Sequence, residues 1–198
     1  MNNTHIDILR HGEPVGGRKY RGHGVDDPLS ELGWRQMWAA VGNDWPWHGI
    51  VSSPMLRCRD FAAALADRSG LALAVDERLK EVGFGAWEGR TGAQLRADTP
   101  DTLRRFYENP VVHRPRDAEP LADFRQRVGE ALEDLLRQHE GRRILVVAHA
   151  GVIRAAVSWL LDAPLERMYR MDVPNAAFLR ITTREQRPPM FALDGPVL

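Results

Sequence analysis

One cysteine, two lysines and no net charge set the first limits on this chain of 198 residues. With Cys58 as the only cysteine, no intrachain disulfide can form, and a cysteine-ligated metal site is not expected. Cys58 reads as a small buried hydrophobe. Basic and acidic residues balance at 27 each, so no bulk field draws the chain to nucleic acid or to a membrane. Lys19 and Lys80 are the only lysines, so the positive charge is nearly all arginine. No apolar run is long enough to span a bilayer. Met1–His5 carries no basic region leading into a long apolar run. A secretory signal is therefore not expected, and a cytoplasmic location is. Repeats, low-complexity tracts and interdomain linkers are also missing.

What is present is the balance of one globular unit with a sizeable core: 43% hydrophobic and 27% charged residues. The stretch His5–Pro14 organises it. Ile6, Ile8 and Leu9 favour a short buried strand, which breaks at once into Arg10-His11-Gly12-Glu13. Gly12 permits a sharp turn and a close approach by a ligand. In an open α/β sheet, ligands bind outside the carboxyl ends of the strands. Arginine there offers a fork of donors suited to phosphate, and a neutral histidine offers a nucleophilic nitrogen.

The rest of the chain alternates. A Gly-rich loop, Gly16–Asp27, carries Arg18, Lys19 and Arg21 and reads equally as solvated surface or as a wall facing substrate. Ser30 reads as a helix N-cap. Trp34, Trp38, Trp45 and Trp47 read as packing. Ile50–Ser53 is a second strand, and a helix over 55–68 follows, with Gly70 at its stop. Arg57 stands in that helix's first turn, where a cation is disfavoured unless an anion is bound. A third strand is expected over Leu71–Val75. Residues 76–92 then form a shaped loop with Glu81 and Glu88 as its carboxylates. A short helix is expected over 91–97 and another from Thr99-Pro100 to about Asn109. A Pro-rich loop leads to a helix over 121–139, stopped by Gly141. Ile144-Leu145-Val146-Val147 is a continuous apolar run, as in a strand buried on both faces. It ends in His149-Ala150-Gly151 and a helix over 152–161. Two strands close the chain, over 176–182 and 190–193. Strand–helix alternation predicts a three-layer α/β sandwich with a mostly parallel central sheet and helices on both faces.

Two strands thus end in a histidine followed closely by glycine. With Arg10, His11, Arg57, Glu81 and His149 at strand ends or in adjoining loops, the set suits a phosphomonoester: arginines for the dianion, a histidine to attack, a carboxylic acid for the leaving oxygen. Leu9-Arg10-His11-Gly12-Glu13, Ser52-Ser53-Pro54-Met55-Leu56-Arg57, Leu79-Lys80-Glu81 with Phe84–Gly89, and Val146–Val152 resemble, in order, four motifs of the histidine phosphatase (phosphoglycerate mutase-like) superfamily. The resemblance implies one domain over 1–198, with an excursion at about 91–120 covering the site. It implies a phosphohistidine intermediate on His11. Arg10, Arg57 and His149 would form the phosphate pocket, Glu81 would be the proton donor, and Arg21 and Gly22 would contact substrate. It implies no metal and no other cofactor, a small-molecule phosphate ester as partner, and a monomer or homodimer. Pro14 and Gly17 depart from the family pattern, which commonly has Ser or Thr and Asn there. Tyr20-Arg21-Gly22, Val25–Leu29 and Arg57–Ala62 are similar to the α-ribazole phosphatase branch, which implies cobalamin biosynthesis. A phosphoglycerate mutase, a broad-specificity phosphatase and a non-catalytic phospho-ligand module are the competing readings.

Overall fold

The computed structural model describes residues 3–184 and 187–194. The first apolar run forms β1 (Thr4–Arg10). The Ser30 hydroxyl starts α1 (Glu31–Val41) by accepting from the Gly33 N–H at 3.0 Å. β2 (Gly49–Ser52), α2 (Leu56–Ser69) and β3 (Leu73–Val75) follow. Gly70 ends α2 in the left-handed conformation, φ 69°. Short helices α3 (Gly92–Asp98) and α4 (Thr102–Glu108) precede the long α5 (Leu121–Gln138). Then come β4 (Arg143–Ala148), α6 (Ala150–Leu160), β5 (Phe178–Arg184) and β6 (Arg187–Asp194).

The strands form one sheet in the order β3-β2-β4-β1-β5-β6. β3, β2, β4 and β1 run parallel, and β5 and β6 add on antiparallel. The two-residue period of a strand sends neighbours to opposite faces. Ile144, Val146 and Ala148 of β4 join a core with Phe124, Val128 and Leu132 of α5 and Val152 and Ile153 of α6. Leu145 and Val147 join the other core, with Met37 of α1 and Phe61 and Leu65 of α2. The three-layer sandwich is therefore written in the alternation of one strand. Each fully buried Leu, Val or Phe contributes about 1.5–3 kcal/mol to holding the layers together.

Several boundaries differ from expectation. α4 begins at Thr102, not at Pro100, because Thr99 is extended (φ −147°, ψ 101°) and accepts a turn bond from the Thr102 N–H at 3.0 Å. α5 ends before Gly141, at the His139 cap. β5 starts at Phe178, since Ala176 sits at φ 58° and turns the chain. The tryptophans pack: Trp38 lies 4.8 Å from Phe61, and Trp47 donates to the buried Asp7 carboxylate at 2.8 Å. Among the described residues no helix is long and apolar enough to cross a membrane.

Candidate active site

Three neighbouring strands of the parallel section end together. Arg10, the last residue of β1, is level with Ala148, the last of β4, and the His11 N–H donates to the Ala148 carbonyl at 2.9 Å. The Ser53 N–H donates to the Val147 carbonyl at 2.9 Å, which brings the end of β2 alongside. The apolar strands thus carry His11, His149 and Ser53 to one place. The two imidazole rings are 5.2 Å apart, edge to face.

His11 is 6% exposed, and its Nδ1 lies 2.7 Å from the Gly12 carbonyl. A carbonyl oxygen only accepts, so Nδ1 carries the hydrogen and Nε2 keeps its lone pair. Burial, then the charges of Arg10 and Arg57, hold His11 well below the usual histidine pKa. It is neutral at physiological pH. His149 is fully buried and equally neutral, through burial and then Arg57 and His11. Its Nε2 lies 2.7 Å from the Ser53 hydroxyl. Cys58 packs beneath, its thiol donating to the Ala148 carbonyl at 3.3 Å. Burial pushes that thiol up, so it stays protonated and inert.

Arg57 is 1% exposed. Its guanidinium donates to the carbonyls of Gly22 at 2.8 Å and Val25 at 3.2 Å, and lies 3.8 Å from Asp26. Arg10 donates to the Val173 carbonyl. Burial brings the Arg10 pKa down to about 10, still cationic at neutral pH. The Nε–H groups of both arginines are buried with no hydrogen-bond partner.

Glu81 accepts from the Val82 N–H at 2.9 Å and from the Gly151 N–H, in the first turn of α6, at 3.3 Å. A Cβ at residue 151 would overlap its Oε1, so glycine there makes room for the carboxylate. Glu88, the other carboxylate of this loop, is structural: it accepts from the Phe84 N–H at 2.9 Å and fills the space beside Gly22 and Gly24. Arg21 is tied to Asp27 at 2.9 Å and to the Val15 carbonyl at 2.7 Å. Its charge still reaches His11. Gly22 contributes the carbonyl that steadies Arg57.

The segment 91–120 packs Leu95, Leu103 and Phe106 into the α5–α6 core. Phe106 contacts Trp87 at 5.1 Å and Tyr169 at 4.8 Å. Of its arginines, Arg96, Arg104, Arg105 and Arg116 are exposed, and only Arg114 turns inward. Among the described residues, no three or more His, Cys, Asp or Glu side chains are placed to hold a metal ion. Reading by motif passed over the Ser53 contact with His149, although Ser53 lies inside a quoted motif.

A neutral imidazole with a free lone pair beside two unpartnered guanidinium N–H groups, at the carboxyl edge of a parallel sheet, is the equipment of a protein that handles phosphate esters. The comparisons agree: residues 6–193 match the family model of the histidine phosphatase superfamily (branch 1), and the chain belongs to that family. It is similar to the bifunctional protein Rv2228c of Mycobacterium tuberculosis, 35% identical over 178 residues, 88% of this chain and 49% of that protein. The chain thus spans about half the length of that relative. It is also similar to the glucosyl-3-phosphoglycerate phosphatase of Mycobacterium tuberculosis, 34% identical over 179 residues, 83% of this chain and 78% of that one. The solved native structure of mycobacterial glucosyl-3-phosphoglycerate phosphatase aligns at TM-score 0.79 and 31% identity, covering 91% of each chain. The α-ribazole phosphatase from Shigella flexneri shares the fold, at TM-score 0.80 and 24% identity over 96% of this chain and 95% of that one.

Proposed function

We propose that this phosphatase is a phosphomonoesterase that works through phosphohistidine on a small-molecule ester. The observation that carries the reading is the pair of buried, unpartnered Nε–H groups of Arg10 and Arg57 beside neutral His11. Leaving such a group unpaired costs about 1–3 kcal/mol, more where it is charged, and phosphate oxygens would satisfy both. In the first step Nε2 of His11 bonds to phosphorus as the ester P–O bond breaks, and the leaving oxygen takes a proton from Glu81. In the second, water attacks phosphorus and gives a proton to Glu81. The P–N bond then breaks, and its electron pair returns to Nε2. Arg10 and Arg57 offset charge on the phosphoryl oxygens, and His149, held by Ser53, completes the pocket wall. Two guanidinium groups supply the positive charge, so the reaction is read as metal-independent.

Two leaving groups have support. The residues shared with the α-ribazole branch favour α-ribazole 5′-phosphate. The 34% identity to a glucosyl-3-phosphoglycerate phosphatase favours an ester of that kind. A mutase reading loses ground because the arginines of 91–120 mostly face solvent. The test is phosphate release from a panel containing both esters, in EDTA, with His11→Ala beside wild type. Acid-labile phosphate trapped on the wild-type protein and missing from His11→Ala is expected. Full activity in His11→Ala would overturn the mechanism.

A further inference from the structure

Glu81 lies between the helical turns Glu77–Leu79 and Gly85–Trp87, so no helix or strand ladder fixes its backbone. Two side chains do so instead. Arg127 of α5 donates through Nη1 to the carbonyls of Arg78 and, at 2.9 Å, Lys80, and through Nη2 to the Glu81 carbonyl at 3.3 Å. The same guanidinium meets Glu119 in two bonds, Nε to Oε1 at 2.7 Å and Nη2 to Oε2 at 2.9 Å. Glu119 in turn accepts from the Gly83 N–H at 3.0 Å. The Glu81 carbonyl also accepts from His23 Nδ1 at 3.0 Å, and Arg114 Nη2 bridges the carbonyls of Gly83 at 2.7 Å and Glu119 at 2.8 Å.

A guanidinium has five N–H donors, and Arg127 spends all five inside the protein. It therefore has none to offer a phosphate, unlike Arg10 and Arg57. Three of the five go to carbonyls within one four-residue stretch that ends at Glu81. Burial opposes the charge of Glu119, but the bonds from Arg127 and the Gly83 N–H outweigh it and hold that carboxyl below its usual pKa. The pair thus grips the chain on both sides of Glu81. The Glu81 carboxylate follows its backbone closely. One of its bonds is to the neighbouring Val82 N–H, which moves with the loop, and the bond to the Gly151 N–H outside the loop is the longer, at 3.3 Å. We infer that Arg127 and Glu119 are positioning residues for the proton donor: they fix the backbone that carries Glu81 and so set where its carboxyl meets the departing oxygen. The inference rests on the phosphomonoesterase reading.

Phenyl phosphate and p-nitrophenyl phosphate test it. Both leaving groups carry one ring, but phenolate is the more basic and needs the proton more. kcat/KM reports attack and departure alone, and its ratio between the two esters does not depend on how much of a variant is folded. Arg127→Met and Glu119→Gln should each lower kcat/KM by at least about 10-fold on phenyl phosphate and by less than about 3-fold on p-nitrophenyl phosphate, as expected when a general acid is displaced. Arg127→Lys keeps the charge without the fork and should recover only part of the loss. In a Glu81→Gln background, Arg127→Met should leave the ratio where Glu81→Gln alone sets it, because the arginine acts through that carboxyl. Equal losses on both esters, or a further change of the ratio in the Glu81→Gln background, would overturn the inference and leave the phosphatase standing. Release of phosphate from neither ester by wild type would remove the phosphatase reading and this inference together.

Discussion

Gly151→Ala separates the chemistry assigned to Glu81 from the stability of the fold. Residue 151 lies in the first turn of α6, where alanine is at least as good a helix former as glycine, by up to about 1 kcal/mol. The added methyl would meet Phe124 Cζ at 3.3 Å, a contact that a few tenths of an ångström relieves. Its severe overlap is with the Glu81 carboxylate, the free end of a flexible side chain. That carboxylate must leave, and the helix need not. The melting temperature should therefore change little. Misplacing a reacting group by about 1 Å can lower the rate by about 10²-fold, and general acid catalysis is worth about 10²–10⁴-fold. An alkyl phosphate loses a basic alkoxide that needs the acid, whereas p-nitrophenolate departs without it. Steady-state assays should show Gly151→Ala losing at least about 10²-fold on an alkyl phosphate and far less on p-nitrophenyl phosphate. An equal loss on both would show that the substitution disturbs the phosphate pocket, and unchanged alkyl activity would remove Glu81 from the acid's role.

The two neutral histidines make stability depend on pH. Both fold with pKa values well below 6.5, so the unfolded chain binds more protons just below that pH. Stability then falls as pH drops from about 6.5 toward the folded values, by up to about 1.4 kcal/mol per pH unit for each histidine. Urea denaturation at pH 6.5 and 5.5 reads it, and His11→Gln/His149→Gln should flatten the slope; an unchanged slope would place its origin elsewhere. Ser53→Ala strips the buried His149 Nε2 of its partner at 2.7 Å. A loss of about 1–3 kcal/mol is expected in urea denaturation, with a slower single-turnover burst. Stability within a few tenths of wild type would mean that this hydrogen bond contributes nothing net.

The cluster at the strand ends was legible because it is local. Apolar alternation sets β1 and β4, and a parallel sheet brings their ends level, so His11 and His149 meet once the strands are recognised, whereas the contact of Ser53 with His149 shows only in the fold. Arg57 was legible for a different reason, as a cation where the helix dipole opposes one. Arg21 could be placed near the site but not assigned its partners. Its bond to Asp27 depends on how the loop 16–27 folds back, and glycines leave many paths open to such a loop. The bounds of α4 failed because Pro100 suits both a first helical turn and the bend before one, and only the extended Thr99 decides between them.

The cationic wall between the 91–120 segment and α6 was illegible because no single segment contains it. Arg114 comes from the loop before α5, Arg154 from the second turn of α6, and Tyr169 from the helical turn Leu165–Arg170. Each alone reads as a surface residue, and five arginines in 91–120 cannot be ranked by spacing. Packing ranks them: Arg104 is neutralised by Asp101 at 3.2 Å and Glu108 at 2.6 Å, whereas Arg114 is drawn under the loop by two carbonyls that leave its charge uncancelled. The same division is expected to separate what binds phosphate from what chooses the ester. Attack on phosphorus needs residues that strand ends supply in fixed register. Choice of ester falls to side chains that connecting segments bring in, where sequence can change without disturbing the sheet. A change of substrate in this fold is therefore expected to run through connecting segments such as 16–27 and 91–120 before it touches 10, 11, 57 or 149.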